Sequence, residues 1–451
     1  MKKQINNKDE KLLKQLSLSY FEMIDLDQKS KKEIFSKIKK GLKANKSKLK
    51  KLIVSEVKLT ENDAEKEIER AYKTFSFANE NTNYLSVKEI TRNGKRILEK
   101  RIARGPLLVI TPFSSPLSSP AHKISLGIIA GTSILFKPSG FAKETGKLLF
   151  EIIKKATNGK YIYYCGDYSR KEMETIIRDE RIGIISFTGG YETGKKIIQS
   201  GGVKKYHMEL AGGNSSVIFS PEYKKYDDLL TRKLLDGILA KNGQRCVSIK
   251  HIFIHKKESE FILKICGRML ALKQELIKDI SIGNKTILGP LITETYARET
   301  ENKVKIVLGK NKNFKNLIKI ERSKALLFPT IYSTEIINTN SIKDNLSYDL
   351  PGPVVFVYLY KNKSDYEKIL AAFKNDYVQS GLQLSLYTEN SKSIKDFSNN
   401  LLWGGIIVND IPTFRDEFMS FGGFGKSGLG KEGFFETLNV YTDPQVIVQS
   451  S

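Results

Sequence analysis

From residue 105 onward, short apolar runs alternate with stretches of helical character, and this rhythm limits the possible folds more than any other feature. Alternation of this kind predicts β-α-β units and a parallel sheet, whose ligand sites lie at the carboxyl ends of the strands. The first set of predicted strands covers residues 107–110, 133–137, 161–165, 182–187 and 216–219. A second set, residues 252–255, 325–331, 354–360 and 405–409, predicts a further α/β domain.

The N-terminal part of the chain has a different pattern. Residues 8–76 are predicted to be helical, and residues 84–104 alternate in a strand-like way around Asn93-Gly94, which is a strong signal for a two-residue hairpin. The densest basic run, residues 31–51, carries apolar side chains at near-helical spacing and predicts one amphipathic helix with a lysine-rich solvent face. The apolar residues at this spacing are Ile34, Ile38, Leu42 and Leu49, and Leu52 follows directly after the run.

The net charge of +25 raises the question of a nucleic-acid partner. Because no zinc-finger or RRM signature accompanies the charge, a solvated surface is favoured over an anionic partner, and no specific nucleic acid is expected. Cys165, Cys246 and Cys266 are odd in number and far apart, which does not suit a disulfide framework. No apolar run is long enough to span a membrane and no secretion signal is evident, so we expect a cytoplasmic protein.

Two runs contain residues suited to catalysis. Cys246 follows Asn242-Gly-Gln-Arg, a polar loop whose positive charge favours a thiolate, although a free cysteine can also be a small buried apolar residue. Glu209, in the run His207-Met-Glu209, is a candidate general base, and its alternative role is that of a surface residue at a strand end. The four histidines have no zinc-binding spacing, so no metal site is expected.

A glycine-rich run offers a candidate phosphate site. Gly189 to Lys196 nearly matches the loop G-x-x-x-x-G-K-[ST], but Lys196 takes the place of the hydroxyl that binds magnesium, so ATP hydrolysis is not expected. A strand followed by glycines and a helix still suits a pyrophosphate, because N–H groups at a helix N-terminus bind phosphate. An ordinary glycine turn is the alternative.

Several segments occur in one order over nearly the whole chain and together resemble the aldehyde dehydrogenase superfamily. The match covers about residues 30–445. Its segments are residues 110–117, 135–139, 187–190, 209–212, 243–246, 351–354 and the glycine-rich run 421–433.

The resemblance implies that a small-molecule aldehyde is oxidised to a carboxylic acid with NAD or NADP. Cys246 would attack the carbonyl as a thiolate, and a thioester would remain on sulfur after hydride transfer. Glu209 would activate the water that hydrolyses the thioester. Ser114 stands where the family usually has an asparagine that holds the oxyanion, and losing one such donor typically costs about 10²- to 10³-fold in rate.

The resemblance also assigns cofactor contacts, although several positions depart from the family pattern. Lys137 matches the lysine at the adenosine ribose, whereas Gly140 replaces the nearby acidic residue, which favours acceptance of NADP. Phe113 matches an aromatic position of the substrate entrance, where neighbouring serines favour a small or polar aldehyde. Arg245 could serve an anionic aldehyde or point away from the pocket. The complete set of cofactor candidates is Lys137, Thr111, Phe113, Gly189, Gly190, Gly194 and Asp349, of which Gly190 replaces a serine and Asp349 a glutamate.

Two alternatives to hydrolytic oxidation remain. One is an acylating enzyme that passes the thioester to coenzyme A, and the other is a catalytically weak relative with a binding or structural role. The resemblance implies a Rossmann-like dinucleotide-binding domain (residues 1–80 and 103–211) and an α/β catalytic domain (212–412). It also implies oligomerisation strands (81–102 and 436–451), a glycine-rich return segment near the active site (413–435), and a homodimer or homotetramer.

Overall fold

The computed structural model describes residues 6–210, 212, 215–278, 288–336, 338–374, 381–399 and 401–450. Part of the motif that follows Glu209, namely residues 211, 213 and 214, lies outside the described residues. The helices are α1 (Asn7–Ile24), α2 (Gln28–Ala44), α3 (Lys46–Val57), α4 (Glu61–Glu80), α5 (Ser118–Ala130), α6 (Lys143–Ala156), α7 (Arg170–Arg178), α8 (Tyr191–Gly201), α9 (Asp228–Leu239), α10 (Ser259–Lys278), α11 (Glu294–Lys310), α12 (Thr339–Leu346), α13 (Lys363–Phe373), α14 (Ser391–Ser398) and α15 (Phe434–Tyr441).

The strands confirm most of the predicted positions. They are β1 (Lys88–Arg92), β2 (Lys95–Ala103), β3 (Leu107–Ile110), β4 (Ile134–Lys137), β5 (Ile162–Tyr164), β6 (Ile184–Gly189), β7 (Lys205–Leu210), β8 (Ser216–Phe219), β9 (His251–His255), β10 (Lys315–Ile318), β11 (Arg322–Ser323), β12 (Leu326–Leu327), β13 (Thr330–Glu335), β14 (Val354–Tyr360), β15 (Gln383–Tyr387), β16 (Gly405–Val408), β17 (Gly428–Leu429) and β18 (Thr442–Ser450). The predicted strand 325–331 is wrong, because β12 and β13 are separate strands on either side of Phe328-Pro329. Proline lacks the N–H that a continuous ladder needs.

Two large sheets confirm the expected α/β fold. The first has the order β17-β7-β6-β3-β4-β5 and is parallel except for β17. The second has the order β10-β13-β14-β9-β8-β15-β16 and is parallel except for β10. A third, antiparallel sheet consists of β1, β2 and β18. The residues between β1 and β2 are Asn93 and Gly94, both with positive φ, so the predicted hairpin turn is confirmed.

Helices cover both faces of the first sheet, which explains why its strands are almost continuously apolar. Leu107 and Val109 pack into a cluster with α2 to α6, whereas Leu108 between them packs into a second cluster with α1, α7 and α8. Successive side chains of a strand point to opposite faces, so a strand buried on both sides needs apolar residues at every position.

The lysine-rich segment 31–51 differs from its prediction, because it forms two helices and not one. Helix α2 ends at Ala44, and the Asn45 side chain donates a 2.9 Å hydrogen bond to the Gly41 carbonyl before α3 begins. Asparagine competes for backbone groups in this way and therefore favours helix ends. Ile34 and Ile38 are buried as expected. Within the described ranges, no helix has the length and apolar composition needed to cross a membrane.

Candidate active site

A pocket lies where the parallel strands β3, β6 and β7 end beside one another. Ser114 follows β3, Gly189 ends β6 and Glu209 is near the end of β7, and all three line this pocket. Cys246 lines the same pocket from the loop that leads to β9. The structure therefore brings together the three candidate catalytic residues, which are far apart in the sequence.

The loop before Cys246 has an unusual backbone. Lys241, Asn242 and Gly243 have φ values of 53°, 60° and 67°, and a run of left-handed residues persists only where its surroundings fix it. The Asn242 amide nitrogen donates 2.8 Å hydrogen bonds to the carbonyls of Lys58 and Pro290. The buried Lys250 amine donates to the carbonyl of Gly243 at 2.8 Å and also to that of Gly352.

A buried ion pair links this loop to the Ser114 loop. Lys241 Nζ donates to Glu67 Oε2 at 2.7 Å, to the Ser114 carbonyl at 2.9 Å and to Ser115 Oγ at 3.0 Å. The other Glu67 oxygen accepts hydrogen bonds from the backbone N–H groups of Leu117 and Ser118 at the start of α5. One carboxylate thereby fixes the cysteine loop and the Ser114 loop relative to each other.

The Cys246 thiol is exposed to solvent within the pocket, whereas Cys165 and Cys266 are buried. Surrounding protein raises the pKa of Cys246 by desolvation, and the nearby Arg415 and Arg245 guanidinium groups oppose that rise only in part. The prediction that the positive charge of Arg245 favours the thiolate therefore has the correct sign, but loss of water outweighs it.

The Glu209 carboxyl is almost fully buried and has an altered affinity for its proton. Thr188 Oγ1 donates to Glu209 Oε2 at 3.0 Å. Burial and the neighbouring Glu432 carboxyl raise the pKa of Glu209 to about 8, with Lys123 and Arg415 opposing. Glu432 accepts a 2.6 Å hydrogen bond from Arg415 Nη2 and has its pKa held well below its usual range by His122, Arg415 and Lys123. Of the two carboxyls, Glu209 therefore keeps the proton at neutral pH.

Sequence reasoning missed several charged residues around Glu209. Lys123 on α5 is fully buried, with Nζ 3.7 Å from Glu209 Oε1 and 3.9 Å from Glu432 Oε1. It lies in the run Ala121-His-Lys-Ile-Ser125, which matches no catalytic motif, so no pattern marks it. Glu432 does lie in the glycine-rich run 421–433 that carries the family resemblance, and this position could have suggested its place. Arg415 and Arg70 also line the pocket. Arg415 belongs to the predicted return segment 413–435, whereas no sequence signal marks Arg70.

The remaining candidates fall into two groups. Phe113, Gly189, Gly190 and Asp349 line the pocket with Cys246. Thr111, Lys137 and Gly194 lie outside that lining: Thr111 is buried after β3, Lys137 Nζ donates to the Gly166 carbonyl at 3.0 Å, and Gly194 lies inside α8. A Cβ at Gly194 would lie 2.3 Å from a methyl group of Leu210, so this glycine permits close packing of the helix on β7.

The residues present fit a dinucleotide. β6 ends at Gly189 and α8 begins after Gly190, which leaves the first N–H groups of α8 without a side-chain cap. A Cβ at Gly190 would meet nothing within 4 Å, so the approach to these groups is open. Uncapped N–H groups and the helix dipole attract a pyrophosphate. A Cβ at Gly140, just after β4, also meets nothing within 4 Å, which leaves room beside Lys137.

Comparisons with known proteins agree with this architecture. The sequence model of the Aldehyde dehydrogenase family matches residues 11–447. The lactaldehyde dehydrogenase of Methanococcus aeolicus is 29% identical over 434 residues, covering 92% of this chain and 86% of the relative.

Solved structures are also similar. A glyceraldehyde-3-phosphate dehydrogenase from Methanocaldococcus jannaschii, complexed with NADP, has a TM-score of 0.85 and 25% identity over 100% of this chain and 96% of that one. Aldehyde dehydrogenase 21 from Physcomitrella patens, in complex with succinate, is similar in fold with a TM-score of 0.87 and 23% identity, covering 99% and 91% of the two chains. Because the family match includes both large sheets and every residue that lines the pocket, the chain belongs to the aldehyde dehydrogenase family, whose members are NAD(P)-dependent oxidoreductases that act on aldehydes.

Proposed function

We propose that this protein oxidises an aldehyde to a carboxylic acid through a thiohemiacetal and then a thioester on Cys246. The observation that carries the proposal is that an accessible thiol and a buried carboxyl of raised pKa line one pocket, beside an open helix N-terminus. A nucleophile and a base with shifted pKa in a cleft are the features expected of a catalytic site.

Each residue has a separate task in the proposed mechanism. The Cys246 thiolate attacks the aldehyde carbon, and the Ser114 hydroxyl donates a hydrogen bond to the oxyanion that forms. A nicotinamide cofactor, when bound, supplies the acceptor for the hydride that leaves this carbon. Glu209, as a carboxylate, then takes a proton from water while the water attacks the thioester, so that the acid is released and the Cys246 thiolate is regenerated.

An aldehyde panel with NAD or NADP, with and without coenzyme A, tests this proposal. We expect NAD(P)H formation that does not require coenzyme A, because in the proposed mechanism Glu209 activates water for hydrolysis of the thioester. We also expect NADP to be accepted, because Gly140 leaves the position of a repelling carboxylate open. Dependence on coenzyme A would favour the acylating alternative, and no NAD(P)H with any aldehyde would favour a binding or structural role.

The hydrolytic step is expected to be faster at alkaline pH. Glu209 acts as a base only when ionised, and its pKa is raised to about 8, so the rate should fall roughly tenfold for each pH unit below that value. Single-turnover hydrolysis of the acyl-enzyme, followed from about pH 6 to about pH 9.5, measures this dependence. A rate that is flat across this range would contradict the role of Glu209.

The charges in the pocket also indicate the class of aldehyde. We propose that the substrate carries an anionic group, because the guanidinium groups of Arg70, Arg245 and Arg415 all line the pocket. Burial lowers the pKa values of Arg245 and Arg415, and repulsion from Arg70 lowers them further, which indicates that like charges lie near one another. Arg415 Nη2 binds Glu432, but Nη1 is buried and has no hydrogen-bond partner among the described residues. An anion would neutralise this cluster and satisfy the free N–H group.

The relatives differ in whether the aldehyde in their names carries an anionic group. Lactaldehyde is neutral, whereas glyceraldehyde 3-phosphate carries a phosphate, and enzymes named for both are similar to this chain. Pocket carboxylates oppose an anion, but one of them, Glu417, already accepts a 3.1 Å hydrogen bond from Thr74. The arginine cluster therefore favours the anionic class.

Paired substrates measure this preference. We expect kcat/KM for succinate semialdehyde to exceed that for butanal by about 10- to 100-fold, the effect of one or two hydrogen bonds to a charged group. Arg70→Gln and Arg245→Gln should lose most of this advantage while leaving butanal almost unchanged. Arg268→Gln, on the exposed face of α10, is the matched control. Equal kcat/KM for the two aldehydes in the unsubstituted protein would exclude the anionic class.

A further inference from the structure

His207 is a buried ionisable group that the proposed mechanism does not use. It lies on β7 two residues before Glu209, so the two side chains are on the same face of the strand. Its Nδ1 is 2.9 Å from Ser186 Oγ and 3.5 Å from Lys123 Nζ, and its Nε2 is 3.7 Å from Glu209 Oε1. Neither His207 Nε2 nor Glu209 Oε1 has a hydrogen-bond partner among the residues that the structure describes.

The neighbours of the ring decide which nitrogen carries the proton. An ammonium group only donates hydrogen bonds, so Lys123 makes Nδ1 the acceptor and leaves the proton on Nε2. Burial and the charge of Lys123 hold the pKa of His207 well below its ordinary value, which keeps the ring neutral. A neutral imidazole in this tautomer directs an N–H group toward Glu209 Oε1.

We propose that His207 is a positioning residue that donates its Nε2–H to Glu209 Oε1 when Glu209 becomes the base for thioester hydrolysis. This inference deepens the proposed function and rests on it. A small side-chain movement would shorten the 3.7 Å separation to a hydrogen bond of about 3 Å. With Thr188 already bonded to Oε2, both carboxylate oxygens would then be held in a fixed orientation toward the water.

Other groups also face this pair and shape its titration. Lys123 attracts the Glu209 carboxylate from 3.7 Å, whereas Glu432 opposes its ionisation. The groups that face His207 or Glu209 from the packed elements are Ser186 and Thr188 of β6, His122 and Lys123 of α5, Tyr441 of α15, and Arg415, the Lys431 carbonyl and Glu432 of the return segment.

Two substitutions distinguish the effect of the Nε2–H donor from the effect of the volume of the imidazole ring. In His207→Gln the amide nitrogen can occupy the place of Nε2 and still reach Glu209, whereas in His207→Asn the shorter side chain reaches only the place of Nδ1. We expect His207→Asn to slow hydrolysis about tenfold near pH 7 without lowering the rate at high pH, because the apparent pKa of the base rises by about one unit. His207→Gln should stay within about threefold of the unsubstituted protein at every pH.

The burst of NAD(P)H during acylation serves as the folding control, because it does not depend on Glu209. The inference would be overturned if both variants kept the pH profile of thioester hydrolysis seen in the unsubstituted protein. It would also be overturned if His207→Asn lowered the hydrolysis rate by the same factor at every pH. Infrared titration of the Glu209 carboxyl, assigned by its absence in Glu209→Gln, provides a measurement without turnover. Should no aldehyde give NAD(P)H, the proposed function fails, whereas this titration still shows whether His207 stabilises the carboxylate.

Discussion

Cys246→Ala is expected to lower kcat/KM for aldehyde oxidation by at least about 10³-fold. Removal of a covalent nucleophile leaves only binding and orientation, and losses of this kind in enzymes commonly reach several orders of magnitude. The measurement is the initial rate of NAD(P)H formation with the best aldehyde of the panel. Because the Cys246 side chain is exposed in the pocket, its removal opens no cavity in the core, so the melting temperature should remain unchanged.

A second cysteine supplies the matched control. Cys266 is buried on α10, away from the pocket lining, and Cys266→Ala should lower stability slightly while retaining activity. If Cys246→Ala and the unsubstituted protein oxidise every aldehyde at the same rate, the covalent mechanism is wrong.

Glu209→Gln is expected to slow thioester hydrolysis by about 10²- to 10⁴-fold, the usual contribution of a general base. The proposed mechanism does not use this carboxylate for acylation, so one equivalent of NAD(P)H should form rapidly and turnover should then stop. Glutamine keeps an oxygen that can accept the hydrogen bond from Thr188, so the local structure should persist. Mass spectrometry of the stalled protein should find the acyl group on Cys246.

The control for this variant is Glu275→Gln on the exposed face of α10, which should behave like the unsubstituted protein. Steady-state turnover of Glu209→Gln at the unsubstituted rate would exclude Glu209 as the base. The stalled acyl-enzyme should release its acyl group when coenzyme A is added but not on longer incubation in buffer. This result would show that the thioester can still react with a thiol and that only the activation of water is lost.

The fold could be predicted largely because its signals are local. Strand β3 is apolar at consecutive positions since both faces are buried, and the hairpin turn is determined by Asn93-Gly94 alone. Errors arose where one residue outweighs a regular pattern, as Asn45 does between α2 and α3. Strand β7 is harder to recognise, because Lys205 and His207 interrupt its apolar residues and their partners come from other segments.

The candidate site was only partly predictable for a related reason. Cys246 and Glu209 are residue types with evident chemistry, and each lies in a recognisable run. Lys123, in contrast, looks like an ordinary lysine in an apolar helix until the fold buries it beside two carboxyls. The pKa values of Glu209 and Glu432 depend on burial and on the distances between side chains that are far apart in the sequence. A sequence contains neither quantity directly.

The short strand β17 has a consequence for the order in which the pocket is assembled during synthesis. It pairs with β7 so that Gly428 lies opposite Glu209, and its segment also supplies Arg415 and Glu432. Cys246 and Glu209 therefore leave the ribosome before Arg415 and Glu432, which complete their surroundings. The first sheet can begin to fold on the nascent chain, but we expect the surroundings of Glu209 to be complete only when the late segment docks against β7.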